Sequence, residues 1–373
     1  MIRLCLRRRR STVKVESLKV KIALIGDTHF GGRNDSPIFM EHFMRFFDRV
    51  FFPYIEAHNI TEIIHLGDFL DRRKFVNFQT LNAVRTGFVN RLEKSGAKMN
   101  VILGNHDIFY KNRSDVNSLR ELFNDKFVVH DKPVVLDFDG TAIALLPWIN
   151  AENEAESLEF IKTADADILC AHLELNGFNV LRTTVFQGGM EPALFAKFKA
   201  VYTGHFHSKH TKGNIHYLGC PYQITMSDYG DKKGFHVLDT DTGELEFVPN
   251  PHSIFLQIRY DDENISETSP MTIPEDKIKG QFVRILVEKK TKPYLFEKFI
   301  DGIYNASPHG VTIIEDFVLE TTEDADGVDL GEDTLSVINK EIDGLQNINN
   351  ADSLKTLFRD LYSECLANET LKS

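Results

Sequence analysis

Cysteine is scarce: four in 373 residues (Cys5, Cys170, Cys220, Cys365), with no CxxC spacing. That excludes a thiolate zinc finger and a disulfide framework, and it leaves a reducing, cytoplasmic compartment as the expectation. No run approaches the ~20 consecutive apolar residues of a membrane span. Positive charge is also short. Lys and Arg number 43 against 55 Asp and Glu, a net charge of −12, which excludes a uniformly basic, histone-like DNA coat. No internal repeat is found.

What is present is unevenly distributed. Residues 1–20 carry a net +6 and residues 315–343 a net −10, so the span 21–314 holds only −7. Acidity is therefore partly a tail property, and a nucleic-acid enzyme stays open. The opening MIRLCLRRRRSTVKVES lacks the apolar core of a secretory signal and weakly resembles a transit peptide, which would place the chain in an organelle. It is read here as a disordered basic leader, residues 1–18. With 42% hydrophobic and 26% charged residues the rest is ordinary globular chain, long enough for two or three domains.

Apolar periodicity predicts a strand over Val20–Gly26, a helix over 37–58 with Phe39, Phe43, Phe46, Phe47, Val50 and Tyr54 at helical spacing, and a strand over Glu62–Leu66. A helix over 76–94 and a strand over Lys98–Leu103 follow. Strand and helix alternating in this way imply a parallel sheet. From about residue 127 short strands dominate: Phe127–His130, Val134–Phe138, Thr141–Leu146, Ile168–Ala171, Ala200–Thr203, Ile215–Leu218, Gly234–Asp239 and Glu244–Val248. The expected class is α/β, a two-sheet β sandwich flanked by helices, spanning residues 19–250. The Pro- and acid-rich stretch 251–275 marks a boundary. A small α/β domain, 251–320, is expected beyond it, with strands Phe282–Val287 and Val311–Leu319 around a helix Tyr294–Asn305. An acidic linker, 321–333, precedes two helices, 334–345 and 352–367, the second with an apolar face of Leu354, Leu357, Phe358, Leu361 and Tyr362.

Five polar clusters each follow an apolar strand: Asp27 and His29 in GDTH, Asp68 and Asp71 in GDFLDRR, Asn105, His106 and Asp107 in GNHD, His172 in AHLELNG, and His205 and His207 in GHFH. The ends of parallel strands are where open α/β sheets place ligands. Any one cluster alone is more often a polar turn. Together Asp27, His29, Asp68, Asn105, His172, His205 and His207 supply seven oxygen and nitrogen donors without a thiolate. That set exceeds one catalytic zinc and suits two borderline or hard divalent ions. Paired ions share ligands, and Asp68 on the central motif is the natural bridge. His65, His130, His216 and His236 sit in strand-like runs and read as structural.

GDTH, GDFLDRR, GNHD, AH and GHFH together resemble the calcineurin-like metallophosphoesterase superfamily, whose fold is an αββα sandwich. Softer features (GDFLDRRK before a helix, AHLELNGF, YTGHFHS, YLGCPYQ and the C-terminal helices) make the chain similar to SbcD/Mre-type nucleases, above all phage recombination endonuclease subunits. The resemblance implies Asp27, His29, Asp68 and His207 on one metal and Asp68, Asn105, His172 and His205 on the other. It further implies His106 as the proton donor to the leaving group, and Asp71 as the acid that orients His106 in the phosphatase branch. Many SbcD-type nucleases carry His where this chain has Asp71. Mn²⁺ is the implied metal, with Mg, Fe or Zn admitted by the donor set.

The implied activity is an Mn-dependent 3′–5′ exonuclease and endonuclease acting on DNA through a two-metal-activated water. Arg33, Arg72, Arg73, Lys74, Lys111, Arg113, Lys209 and Lys212 are candidate contacts to the phosphate backbone, although each alone reads as surface solvation. By the same resemblance, residues 251–320 form a capping domain. Residues 334–373 would then dock an SbcC/Rad-type ABC ATPase at its coiled coil, with a homodimer inside a heterotetramer and no membrane. The competing reading is a Ser/Thr protein phosphatase or nucleotide phosphodiesterase on the same metal core, since GDFLDRR is close to that motif. GNHD in place of GNHE and the extra C-terminal domain count against it. A scaffold without catalysis has no use for seven donors.

Overall fold

The apolar run KIALI forms β1 (Lys21–Ile25) of a computed structural model that describes residues 20–180 and 184–315, with Lys355 and Phe358 besides. The leader, the acidic linker and the C-terminal helices expected above lie outside the described residues, apart from those two, which are helical. The described chain divides into two compact units, one of residues 20–179 with 186–254 and the other beginning at residue 255 and including residues 180, 184 and 185. No described helix is long and apolar enough to cross a membrane.

The first unit contains β1 and thirteen further strands, β2 (Glu62–His65), β3 (Lys98–Ile102), β4 (Ile108–Tyr110), β5 (Arg113–Asn117), β6 (Val128–His130), β7 (Val134–Phe138), β8 (Thr141–Leu146), β9 (Ile168–His172), β10 (Ala200–Gly204), β11 (His210–Lys212), β12 (Ile215–Tyr217), β13 (Gly234–Asp239) and β14 (Leu245–Pro249). One six-stranded sheet runs β14-β13-β1-β2-β3-β6 and a second runs β11-β12-β10-β9-β8-β7. β1, β2, β3 and β6 are parallel, as are β8, β9, β10 and β12; β13, β14, β7 and β11 pair antiparallel. One buried cluster draws Ile22, Leu24, Ile64 and Ile102 from the first sheet and Ile143, Leu145, Cys170 and Tyr202 from the second. The two sheets thus share one core, the sandwich expected from sequence.

Helices flank the first sheet. The Phe-rich segment is helical over Pro37–Phe46, Phe47–Phe51 and Phe52–Ala57, with a π-helical middle. Pro53 lacks the amide hydrogen that a regular ladder needs, and the wider turn before it accommodates that loss. Phe43, Phe46, Phe47, Phe51 and Phe52 are all buried. The face is core. A second helical run, Phe78–Ala83, Val84–Val89 and Asn90–Ser95, starts at Asn77, whose side chain accepts from the Gln79 amide.

In the second unit β15 (Phe255–Asp261), β16 (Phe282–Lys289) and β17 (Gly310–Ile314) form a parallel sheet in that order. The helix Pro293–Asn305 buries Leu295, Phe296, Phe299 and Ile303, and Phe296, Phe299 and Ile303 share a cluster with Ile258, Tyr260 and Ile285.

Candidate metal centre

The loops that follow β1 and β2 run side by side. Asp27 N donates to Gly67 O, His29 N to Asp68 O and Phe30 N to Phe69 O, each at 3.0 Å, and Asp71 N returns to Phe30 O at 3.0 Å. This ladder brings Asp27, His29 and Asp68 together. The approach is tight. A Cβ on Gly104 would lie 2.2 Å from Asp68 Oδ1, and a Cβ on Gly67, whose φ is +90°, would lie 2.6 Å from the Gly104 amide nitrogen. Only glycine fits there. Asp27, His29, Asp68 and His205 themselves adopt positive φ (52°, 41°, 55° and 92°). Such backbone costs about 1–3 kcal/mol per residue and concentrates at functional sites.

Asp107 knits the second and third loops. Its Oδ2 accepts from Asp68 N and Gly104 N, both at 2.8 Å, and its Oδ1 from Phe69 N at 3.0 Å. Burial raises its pKa to about 7, Asp68 adds to that, and the backbone donors oppose it. Asp107 is part of the GNHD motif, but its role as acceptor for three backbone amides is not legible in the sequence. The strand-borne His65 shapes the same turn: its Nδ1 accepts from Gly67 N at 3.2 Å, and its Nε2 lies 3.1 Å from Thr28 Oγ1.

All seven expected donors converge at the C-terminal ends of β1, β2, β3, β9 and β10. Three groups of potential ligands form: Asp27, His29 and His207; His29, Asp68 and His106; and Asp68, His172 and His205. Asp68 belongs to two of them. Its Oδ2 is 3.6 Å from His29 Nε2 and 3.4 Å from His172 Nε2. Asn105 joins the third group, its Oδ1 3.0 Å from both His172 Nε2 and His205 Nδ1.

The donors suit cations. His172 Nδ1 lies 2.7 Å from Leu66 O and so carries the ring proton, as metal-binding histidines do. Its Nε2 lone pair faces the Asn105 side-chain amide at 3.0 Å, whose NH2 donates to it when the amide is turned so that its oxygen meets Arg73. His207 Nε2 faces His29 Nε2 at 3.0 Å. Asp27 Oδ2 is buried without a hydrogen-bond partner, an arrangement proteins avoid unless a cation satisfies it. The electrostatics agree. Burial would lower the pKa of His172, but Asp68 and Asp27 outweigh it and raise it to about 9. His29 also rises to about 9, with Asp71 and Asp68 overcoming burial. Burial would raise Asp68, and His172, His106 and His29 hold it well below the carboxylate range. The carboxylates draw positive charge into the pocket.

His106 stands at the mouth, half-buried. Its amide donates to Asp68 Oδ1 at 2.8 Å, and its Nδ1 bonds the main-chain carbonyl of Asp71. The Asp71 carboxylate does not take that position. It points at His29, Oδ1 to Nδ1 at 3.5 Å, and the backbone beside it is held by the bond from Asp71 N to Phe30 O. Asp71 thus meets His106 through its backbone carbonyl and His29 through its carboxylate.

The expected phosphate contacts scatter. Arg73 Nη2 comes within 3.2 Å of the Asn105 amide, while Arg72 pairs with Asp35 at 3.1 Å and bonds Asn34. Arg113 pairs with Asp115 at 3.2 Å, Lys209 lies 3.9 Å over the Phe247 ring, Arg33 lies 5.7 Å over Phe39, and Lys74 is exposed. Trp148, the one tryptophan of the sequence, packs 5.1 Å from the His205 ring and 5.8 Å from the His172 ring.

The sequence model of the calcineurin-like phosphoesterases matches residues 20–209. Exonuclease subunit 1 of Enterobacteria phage T4 is 35% identical over 247 residues, 65% of this chain and 71% of the phage protein. A solved archaeal phosphodiesterase aligns at 15% identity over 62% of this chain and 100% of its own, with a TM-score of 0.31, too low to carry an argument.

Proposed function

The chain belongs to the calcineurin-like phosphoesterases, and on that premise we propose that it is a two-metal DNA nuclease, cutting as a 3′–5′ exonuclease and an endonuclease. The observation that carries this reading is Asp68, whose Oδ2 lies 3.6 Å from His29 Nε2 and 3.4 Å from His172 Nε2, one donor from each proposed set. The 35% identity to a phage exonuclease subunit favours DNA as the substrate.

Asp27, His29, Asp68 and His207 would hold one ion, and Asp68, Asn105, His172 and His205 the other. Mn²⁺ is the proposed metal, and the mixed oxygen–nitrogen set also accepts Mg²⁺, Fe²⁺ or Zn²⁺. Divalent ions bound there supply Lewis acidity, which acidifies a water and neutralises the phosphoryl oxygens. His106 protonates the leaving alkoxide from Nε2, while its Nδ1 stays on the Asp71 carbonyl. Burial lowers the His106 pKa, and the neighbouring Asp68 and Asp71 charges oppose that shift. The Asp71 carboxylate faces His29, and Arg73, beside the Asn105 amide, would meet a phosphate oxygen.

A phosphatase reading would lean on Asp71 orienting His106 with its carboxylate; that carboxylate faces His29 instead. The word subunit in the relative's name and the resemblance to SbcD-type nucleases support a partner ATPase with a coiled coil, docked by residues 334–373, and a homodimer within that complex.

Stripping metal with a chelator and titrating Mn²⁺ back tests the two-ion claim, with Trp148 fluorescence as the local reporter. Two ions per chain are expected, with cleavage of linear DNA returning only as the second binds. Full activity with one ion, or with none, contradicts it.

A further inference from the structure

We infer that residues 219–233 form a clamp dedicated to the Asp27–His29–His207 group, acting through the backbone of its ligand loops. The inference rests on the two-ion reading above and deepens it. Two side chains of this segment reach past the ligands to their peptide carbonyls. Tyr222 Oη donates to Thr28 O at 2.5 Å, the carbonyl between Asp27 and His29. Lys233 Nζ donates to His207 O at 2.8 Å, which also accepts from Cys220 N at 3.2 Å.

Both anchors are themselves fixed. The Tyr222 ring stacks on Phe43, centroids 4.1 Å apart and 12° from parallel. Lys233 is 5% exposed and pairs with Asp228 Oδ1 at 2.6 Å, and Asp228, 4% exposed, accepts through Oδ2 from Ile224 N and Thr225 N at 2.9 and 2.8 Å. Asp231 accepts from Ser208 Oγ at 2.8 Å, beside His207. A buried lysine beside carboxylates is a costly device, and here another of its protons goes to one ligand's carbonyl. The shared Asp68 is held by Asp107, and His172 of the other group by Leu66 O. Tyr222 and Lys233 are thus positioning residues for one ion of the two. Outer partners of this kind typically alter metal affinity by about 10–100-fold.

The test is Mn²⁺ binding by calorimetry on the full chain, with Tm alongside. Tyr222→Phe keeps the stacked ring and deletes only the hydroxyl. It is expected to weaken one Mn²⁺ site by about tenfold or more at near-native Tm, the site that His207→Ala removes and not the one that His172→Ala removes. Lys233→Met should weaken the same site and Lys233→Arg restore part of it. Should Lys233→Met fail to fold, Tyr222→Phe decides alone. Unchanged affinity at both sites, or equal loss at both, overturns the clamp. Wild-type protein that takes up fewer than two ions overturns the two-ion reading itself, and the clamp with it, before any variant is compared.

Discussion

Asp68→Asn is expected to lower DNA cleavage by about 10²–10³-fold, the loss typical of removing one preorganised group from a reacting centre. Asp68 is 2% exposed, and its Oδ2 lies within 3.6 Å of His29 Nε2 and 3.4 Å of His172 Nε2. A neutral amide matches the shape of the carboxylate but cannot share negative charge between two cations. The backbone bonds around it should survive, because Asp68 N donates to Asp107 whatever the side chain carries. Activity should therefore collapse while the sheet sandwich stays folded, which steady-state cleavage and thermal melting together report. Cleavage within tenfold of wild type would remove Asp68 from its bridging place.

His106→Ala is expected to lower DNA cleavage by about 10²–10⁴-fold, the range for a positioned general acid. His106 also shares a donor group with His29 and Asp68, so it must be distinguished from a metal ligand. The leaving group makes the distinction. A deoxyribose alkoxide needs a proton as it departs, whereas p-nitrophenolate does not. The variant should turn over a p-nitrophenyl phosphodiester far better than DNA relative to wild type, with Mn²⁺ uptake unchanged. Equal losses on both substrates, together with weakened Mn²⁺ binding, would make His106 a ligand.

The catalytic half was readable because its signals are local. Apolar runs such as KIALI and EIIHL end abruptly in Gly-Asp, and β1, β2 and β13 fall within a residue or so of the bounds inferred from them. All five motifs meet in space. What escaped notice lacks such contrast. The hairpin β4–β5 is built from the polar stretch 108–117, and the helices Ser118–Phe123 and Glu154–Thr163 are short or weakly amphipathic. β15 alternates as FLQIRYD, yet it sits inside a stretch whose proline and acid content suggested a boundary. Long-range hydrogen bonds are invisible in sequence altogether. Nothing in YLGCPYQ tells that Tyr222 reaches Thr28, 194 residues away, or that the Asp71 carboxylate prefers His29 to His106.

The net charge of −12 fits a DNA enzyme once its placement is considered. Much of it lies beyond residue 314, and four motif acids, Asp27, Asp68, Asp71 and Asp107, stand where divalent cations would reverse the local sign. The reading as a DNA nuclease therefore depends on metal more than on surface basicity, and substrate choice separates it from a phosphatase on the same core. The direct measurement is an Mn²⁺-dependent assay of the purified chain on linear double-stranded DNA beside a phosphoserine peptide. Degradation of the DNA, lost in Asp68→Asn and without turnover of the peptide, is the predicted result. Dephosphorylation of the peptide with the DNA left intact would contradict it.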